Sequence, residues 1–214
     1  PTRMKFVALI SGGKDSIYSI LECIRQGHEL VACVHLGRPE SVQEESYMYQ
    51  TAASEVVRIL VEECLGVPLV LHQRTGTSVN TSLVYDGTSS DNQPIVNHDH
   101  DQDPTTAPIP HDEVEDLHIA LQTAQQKFPS IQAVSSGAIL STYQRVRIEN
   151  VCSRLGLTSL SYLWRRLPQK ELLQCMIQDR IEAVLVRTAC PPGLIPRKHL
   201  NQTLRFLWDS GLLE

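Results

Sequence analysis

Short apolar runs alternate along the chain with longer segments in which apolar residues recur every three or four positions. The short runs predict buried strands at residues 6–10, 30–36, 69–71, 131–134, 159–163 and 183–186. The longer segments predict helices at residues 16–25, 46–65, 112–127, 141–155 and 169–179. This alternation favours an α/β protein, in which helices flank a parallel sheet and a ligand lies at the carboxyl ends of the strands.

One segment interrupts the alternation. Residues 86–110 are almost entirely polar or proline, so they bury too little apolar surface to offset the entropy of ordering. We expect a mobile surface insertion there. Low-complexity polar sequence produces clusters of acids and histidines by chance, so we predict no metal site from its residues His98, Asp99, His100, Asp101 and Asp103.

Composition narrows the classes of function. The chain has 214 residues, enough for one well-buried domain, and its net charge of −5 argues against a generally nucleic-acid-binding surface. No apolar run approaches the ~20 residues that span a bilayer, so we expect no membrane partner. The six cysteines form no CxxC pair, which argues against a zinc ribbon or a redox dithiol. Scattered thiols favour the reducing cytoplasm.

The sequence Ser-Gly-Gly-Lys-Asp-Ser, residues 11–16, follows the first predicted strand and opens the first predicted helix. Glycine permits φ > 0 and a close approach of backbone N–H groups to an anion, and the helix amino terminus favours negative charge. The spacing differs from the GxxxxGK[ST] loop of common NTPases. It resembles the SGGxDS signature of the PP-loop ATP pyrophosphatases, which cleave ATP between the α and β phosphates. A plain strand-to-helix turn is the alternative.

A second turn of small residues, 135–141, follows the strand predicted at 131–134. It allows backbone to approach a ligand, although an ordinary strand-to-helix connection would have the same composition. The helix after it is unusually rich in polar residues between positions 143 and 150. Residues three or four apart share a face of a helix, so Arg147 lies beside both Tyr143 and Asn150. A solvated helix face explains this pattern as well as a binding site does.

Five segments together resemble one family, the diphthine–ammonia ligases. They are SGGKDS at 11–16, SYMYQT at 46–51, DEVEDL at 112–117, SSGAILSTYQRVRIENVC at 135–152 and YLWRR at 162–166. The resemblance covers residues 4–190. It implies a Rossmann-like PP-loop fold (adenine nucleotide alpha hydrolase-like), a parallel sheet flanked by helices. It also implies ATP-dependent amidation of the diphthine residue of elongation factor 2 through an adenylated carboxylate, with release of AMP and pyrophosphate.

The resemblance also implies roles for individual residues. ATP, with Mg²⁺, would be held by Ser11, Gly12, Gly13, Lys14, Asp15, Ser16, Ser136, Gly137, Ala138 and Ile139. The catalytic residues would be Lys14, Asp15, Arg147, Glu149 and Asn150. The substrate would contact Tyr47, Gln50, Glu113, Tyr143, Arg145, Trp164 and Arg165. The partners would be elongation factor 2 bearing diphthine and free ammonium, because no segment resembles a glutaminase.

The resemblance predicts a ligase domain at residues 4–190, with residues 191–214 as a C-terminal tail that is short for the family. The family continues into a Gly/Glu-rich motif of the form GEGGEYET, which is absent before Glu214. Two other functions therefore stay open. One is a PP-loop enzyme that modifies tRNA, and the other is a truncated, non-catalytic ATP-binding module.

Overall fold

The computed structural model describes residues 2–37, 56–76, 78, 85, 112–188 and 193–213. Its centre is a sheet of five strands in the order β3-β2-β1-β4-β5, all parallel. The strands are β1 (Lys5–Leu9), β2 (Glu29–Gly37), β3 (Leu69–Gln73), β4 (Ala133–Ser135) and β5 (Thr158–Leu160). The α/β parallel-sheet fold predicted from the alternation is confirmed.

Seven helices surround this sheet in the described part of the chain. They are α1 (Lys14–Arg25), α2 (Val57–Ile59), α3 (Glu113–Lys127), α4 (Thr142–Arg154), α5 (Gln169–Gln178), α6 (Pro196–His199) and α7 (Leu204–Asp209), and α2 continues as a π-helical segment, Leu60–Leu65. Two long helices begin at side chains that accept a hydrogen bond from the first turn. Asp112 accepts from the Val114 N–H, and Ser141 accepts from the Gln144 N–H.

The central strand is apolar because both faces of the sheet are covered. In β1, Phe6, Val7 and Ala8 have no exposed surface. Val7 packs with residues of α3 and α4 in one cluster, whereas Phe6 and Ala8 pack with residues of α1 and α2 in another. Strands that are buried on both faces are continuous apolar runs, which is the pattern in this sequence.

Two predicted elements differ from the structure. The strand predicted at 183–186 is wrong, because this segment forms only an isolated antiparallel bridge between Val184 and Thr203. The helix predicted at 46–65 is described only from residue 56, where it is short and turns π-helical, and its earlier part lies outside the described residues. The insertion predicted at 86–110 also lies outside them.

The segment after α5 is tied to the final residues by backbone hydrogen bonds. The Leu204 N–H donates to the Ala183 carbonyl at 2.8 Å, and the Leu185 N–H donates to the Gln202 carbonyl at 2.9 Å. Leu207 of α7 is 2% exposed. The domain boundary at residue 190 stays a prediction. Within the described residues, no helix is long and apolar enough to cross a membrane.

The strand order positions the site. The chain moves from β1 to β2 on one side and later returns to β4 on the other side of β1. At such a switch point, the connections after the two central strands diverge and leave a crevice at the carboxyl edge of the sheet. The connections are residues 10–13 after β1 and 136–141 after β4. Both turns singled out in the sequence therefore border one crevice.

Candidate functional site: the crevice at the switch point of the sheet

The turn after β1 is held by its own serines. Gly12 adopts φ 81°, which is in the left-handed region that favours glycine. The Gly13 N–H donates to Ser11 Oγ at 3.3 Å, and the Ser16 hydroxyl donates to the Gly13 carbonyl at 2.8 Å. Gly13 is the residue that precedes α1, and no side chain caps this helix. The amino end of α1 therefore faces the crevice without a side-chain acceptor of its own.

Two opposite charges lie at this helix end. Lys14 Nζ is 2.8 Å from Asp15 Oδ1, and the two side chains are 34% and 36% exposed. A pair that is this accessible contributes little to folding stability, because water screens its charges. Each of the two groups can therefore leave the ion pair and bind a ligand instead.

The turn after β4 is packed directly against α1. A Cβ atom on Gly137 would lie 2.7 Å from the Ser16 nitrogen and 2.9 Å from the Asp15 carbonyl carbon. The Ser19 hydroxyl donates to the Ser136 carbonyl oxygen at 2.8 Å. The two predicted nucleotide-binding turns thus form one continuous surface.

A cavity of about 170 Å³ opens between β1, β2, the turn after β4 and α4. Its walls contain aliphatic and polar side chains in equal number. The lining residues are Leu9, Ile10, Ser11, Asp15, Ser16, Val34, His35, Leu36, Ser136, Gly137, Ala138, Gln144 and Ile148. The mixture of aliphatic walls and polar groups suits a small molecule, and the volume is below the roughly 300–1,000 Å³ that hold a whole drug-sized ligand.

Two further hollows adjoin the same loop. One, of about 590 Å³, lies between residues 12–15 and the segment 180–187. The other, of about 270 Å³, is lined by Lys14, Asp15, Ile139 and apolar residues of α5. Asp15 lines all three spaces. Reactants that occupy different hollows would therefore meet at the beginning of α1.

The predicted catalytic residue Arg147 has no exposed surface. Its guanidinium carbon lies 3.4 Å from the ring centroid of Tyr143 and 5.1 Å from that of Tyr85. Burial raises the pKa of Tyr143, so its ring stays a neutral partner for the cation. Asn150 Nδ2 donates to the Tyr85 carbonyl oxygen at 3.4 Å. Arg147 and Asn150 therefore hold Tyr85 against α4 in the described structure.

Three of the predicted substrate residues lie together beside the second turn. The guanidinium carbons of Arg145 and Arg165 lie 4.9 Å and 5.1 Å from the Trp164 ring centroid. Arg145 Nε also donates to Glu149 at 2.6 Å. The Arg165 N–H donates to the Ile139 carbonyl at 3.0 Å, which fixes this group against the turn after β4. The group presents positive charge and an aromatic face next to the crevice.

The predicted substrate residue Glu113 has its carboxylate buried. It accepts hydrogen bonds from Arg74 Nη1 and from the Ser78 hydroxyl, each at 2.7 Å. One turn later, Asp116 accepts from the Thr75 and Gly76 N–H groups at 3.0 and 2.8 Å. The two acids therefore hold the connection after β3 against α3. Sequence analysis missed this pairing, although acids three positions apart in DEVEDL share one helix face.

Sequence analysis also missed His35, which lies in the wall of the 170 Å³ cavity. Its Nδ1 is 2.7 Å from the Ile10 carbonyl oxygen. Burial, together with the nearby Arg74 charge, lowers the pKa of His35, so the ring is neutral at pH 7. The only signal in the sequence is a histidine in the middle of the apolar strand β2.

The predicted substrate residues Tyr47 and Gln50 lie outside the described residues. In the part of the chain that the structure describes, no three histidine, cysteine or acidic side chains are arranged to hold a metal ion. Burial raises the pKa of the Cys23, Cys33 and Cys152 thiols to about 12, so these three are protonated at neutral pH.

The chain is similar to known proteins along most of its length. The family model of the diphthamide synthase N-terminal domain matches residues 4–86 and 103–159. The diphthine–ammonia ligase of Rattus norvegicus is 42% identical over 206 residues, which are 94% of this chain and 67% of the rat protein. The human diphthine–ammonia ligase is 40% identical over 205 residues, with the same two shares.

A longer relative and a solved structure complete the comparison. The diphthine–ammonia ligase of Schizosaccharomyces pombe is 39% identical over 98% of this chain, which spans only 30% of the yeast protein. The crystal structure of a predicted tRNA methyltransferase subunit from Methanocaldococcus jannaschii aligns with 97% of this chain and 88% of its own. Its TM-score is 0.39 at 12% identity, a likeness too weak to bear on fold or function.

The sequence match and the geometry concern the same residues. The matched segment 4–86 contains the turn after β1, and the matched segment 103–159 contains α3, α4 and the turn after β4. These are the elements that border the crevice. The chain therefore belongs to the family of the diphthamide synthase N-terminal domain.

Proposed function

We propose that this chain carries the ATP-dependent amidation of the diphthine residue of elongation factor 2 by ammonia, with release of AMP and pyrophosphate. The observation that carries the proposal is the close packing of Gly137 on the first turn of α1, because it joins two segments matched by the family model at one crevice. Relatives that are 42% and 40% identical, of which this chain spans 67% of the length, are named diphthine–ammonia ligase and support the choice of substrate.

The nucleotide fits the crevice by its chemistry. Phosphate oxygens would accept hydrogen bonds from the backbone N–H groups at residues 12–16, where the α1 dipole favours negative charge. Lys14 would leave Asp15 and bind the β and γ phosphates, and Asp15 would then be free to hold Mg²⁺. Ser136, Gly137, Ala138 and Ile139 would contact the nucleoside.

The reaction must activate a carboxylate, which is a poor electrophile at neutral pH. A carboxylate oxygen of diphthine attacks the α phosphorus of ATP, the bond to the bridging oxygen breaks, and pyrophosphate leaves. Lys14 and the amides at residues 12–16 stabilise the charge that develops on the leaving group. Ammonia then attacks the acyl carbon, AMP leaves with the shared oxygen, and the nitrogen loses one proton to give the amide.

We place the protein substrate next to the proposed nucleotide site, beside Lys14 and Asp15. The positive and aromatic group Arg145, Trp164 and Arg165 lies beside the turn after β4 and suits the carboxylate and the chain that carries it. Tyr47, Gln50, Glu113 and Tyr143 remain proposed substrate contacts, and Arg147, Glu149 and Asn150 remain proposed catalytic residues. The proposal includes a ligase domain at residues 4–190. It also includes a cytoplasmic location, because the five described cysteines are free thiols.

The test is product analysis with the modified substrate. Purified chain is incubated with ATP, Mg²⁺, ammonium and elongation factor 2 that carries diphthine, and AMP, ADP and pyrophosphate are quantified. We expect AMP and pyrophosphate in equal amounts, with formation of diphthamide, only when protein substrate and ammonium are both present. Release of ADP, or ATP binding with no turnover in the complete mixture, would contradict the proposal.

A matched pair of variants tests the role of the loop. Lys14→Met removes the cation at the start of α1 and should lower kcat by at least about 100-fold. Lys127→Met removes an exposed lysine at the carboxyl end of a different helix, α3, and should leave kcat unchanged. Equal activity of the two variants would remove Lys14 from the mechanism.

A further inference from the structure

Two buried polar atoms without a hydrogen-bond partner among the described residues belong to side chains that line the 170 Å³ cavity. They are His35 Nε2 and Ser136 Oγ, and their side chains belong to residues that are 3% and 4% exposed. A buried polar atom without a partner destabilises the folded state, so such atoms are rare in native proteins and indicate a missing ligand or water. Their position in one cavity points to one occupant.

The hydrogen-bond character of His35 Nε2 follows from its other nitrogen. Nδ1 lies 2.7 Å from the Ile10 carbonyl oxygen, which can only accept, so Nδ1 carries the proton. Because the ring is neutral, Nε2 has a lone pair and no proton. A partner of Nε2 must therefore be a donor. His35 differs in this respect from Ser136, whose hydroxyl can donate or accept.

The surroundings of His35 suit a flat heterocycle. Apolar side chains of Leu9, Val34, Ala138 and Ile148 line the cavity, and the phosphate-binding turn at residues 11–16 lies at its edge. A nucleotide whose phosphates occupy that turn would place its nucleoside in this space. Among the common purines, adenine has an amino group at position 6, whereas guanine and hypoxanthine have a carbonyl oxygen there.

We propose that His35 selects adenine in the nucleotide site, with Nε2 accepting a hydrogen bond from the 6-amino group. This inference rests on the proposed function, since it assumes that ATP is the nucleotide. A carbonyl oxygen at position 6 would face the lone pair of Nε2, and the two acceptors would repel each other. His35 is thus a specificity residue, and it takes no part in the chemical step.

The first test uses the unaltered protein and needs no substitution. Dissociation constants are measured by calorimetry for ATP, for purine riboside triphosphate, which lacks only the 6-amino group, and for ITP. We expect purine riboside triphosphate to bind about 10-fold more weakly than ATP, and ITP more weakly still. Equal affinities for ATP and purine riboside triphosphate would overturn the inference.

The second test uses two buried histidines of the chain. His35→Leu should bring the affinities for ATP and purine riboside triphosphate to within about twofold of each other. His28→Leu is the matched control, because His28 is equally buried at the amino end of β2, where Met4 N–H and Tyr162 bind its two nitrogens. It should keep the about 10-fold preference of the unaltered protein. Loss of the preference in His28→Leu alone, or in neither variant, would overturn the role of His35.

The outcomes separate this inference from the proposed function. A chain that forms diphthamide but binds purine riboside triphosphate as well as ATP refutes the role of His35 alone. A chain that prefers ATP through His35 but releases no AMP supports the role of His35 and refutes the ligase. If 3′-deoxy-ATP binds more weakly than ATP while purine riboside triphosphate binds as tightly as ATP, Nε2 is assigned to the ribose and the inference is overturned.

Discussion

A Cβ atom on Gly137 would lie 2.7 Å from the backbone nitrogen of Ser16, so the turn after β4 touches the first turn of α1. The atoms on the Ser16 side of this contact are backbone atoms, which cannot move aside as a flexible side chain can. Glycine at 137 is therefore required by the neighbouring helix. The contact is what brings the two predicted nucleotide-binding turns to one place.

The substitution Gly137→Ala tests this relationship. We expect the free energy of unfolding to fall by about 1–3 kcal/mol, because the new methyl group forces the backbone of one turn to shift. ATP affinity should fall as well, since the shift displaces the N–H groups of α1. Urea unfolding and calorimetry measure the two effects. Gly37→Ala is the control, because its Cβ would meet only the His72 carbonyl oxygen at an ordinary 3.8 Å.

Glu113 tests whether a buried acid supports the fold or contacts the substrate. Glu113→Ala leaves the Arg74 cation buried without the carboxylate that now lies 2.7 Å away, so stability should fall by about 3–5 kcal/mol. The double variant Glu113→Leu with Arg74→Met should lose less. Denaturant unfolding gives both values. An unchanged stability of Glu113→Ala together with a loss of ligation would instead assign this carboxylate to the substrate.

The pair of Glu115 and Arg154 predicts a dependence of stability on pH. Burial raises the pKa of Glu115, but two hydrogen bonds from Arg154, at 2.7 and 2.8 Å, and the Arg154 charge outweigh it and hold that pKa below 4.5. A carboxyl group with a lowered pKa stabilises the folded state above its unfolded pKa, and this contribution disappears as the pH falls through the folded value.

Arg154→Met should therefore reduce the free energy of unfolding at pH 7. It should also make this free energy fall less steeply as the pH drops below 4.5, because Glu115 then has no lowered pKa. Thermal unfolding at a series of pH values measures this effect. Arg58→Met is the control, because the Arg58–Glu62 pair is 62% and 42% exposed and should contribute little. An acid limb as steep in Arg154→Met as in the unaltered protein would contradict the assignment.

Trp164 contacts the guanidinium groups of Arg145 and Arg165, 4.9 and 5.1 Å from its ring centroid, and its substitution tests the proposed substrate side. Trp164→Leu removes the aromatic face that orients Arg145 and Arg165. Each of the two lost cation–π contacts contributes up to about 1 kcal/mol. We expect KM for the protein substrate to rise several-fold while the dissociation constant for ATP stays the same. Trp208→Leu in α7 is the control and should change neither value. Weaker ATP binding in Trp164→Leu would move this group to the nucleotide side.

Much of the fold was predictable because local rules govern it. Runs that are buried on both faces read as apolar, and the predicted strands from 6–10 to 131–134 correspond to β1 to β4. The segment 183–186 has the same apolar composition, but it lies outside the sheet and forms a single bridge to Thr203. Composition cannot separate these cases, since pairing depends on which strands the tertiary fold makes adjacent.

The roles of the polar residues were less predictable. DEVEDL reads as an acidic helix start, yet its Glu113 is buried and paired with Arg74 from a separate segment. Arg147 reads as a polar residue on a helix face, yet it is covered by Tyr143 and Tyr85. The sequence pattern records charge and spacing along one element, whereas the partners of these side chains come from other elements.

The sequence by itself determined the alternation of strands and helices and the glycine-rich turn at residues 11–16, which we propose binds phosphate, because glycine conformation and helix termini are local properties. Only the tertiary structure decided that β4 lies beside β1 and presses Gly137 onto Ser16. It also decided that His35, whose buried Nε2 has no hydrogen-bond partner among the described residues, lines the resulting cavity. These relationships join residues that are distant along the chain, so they exist only once the sheet is assembled.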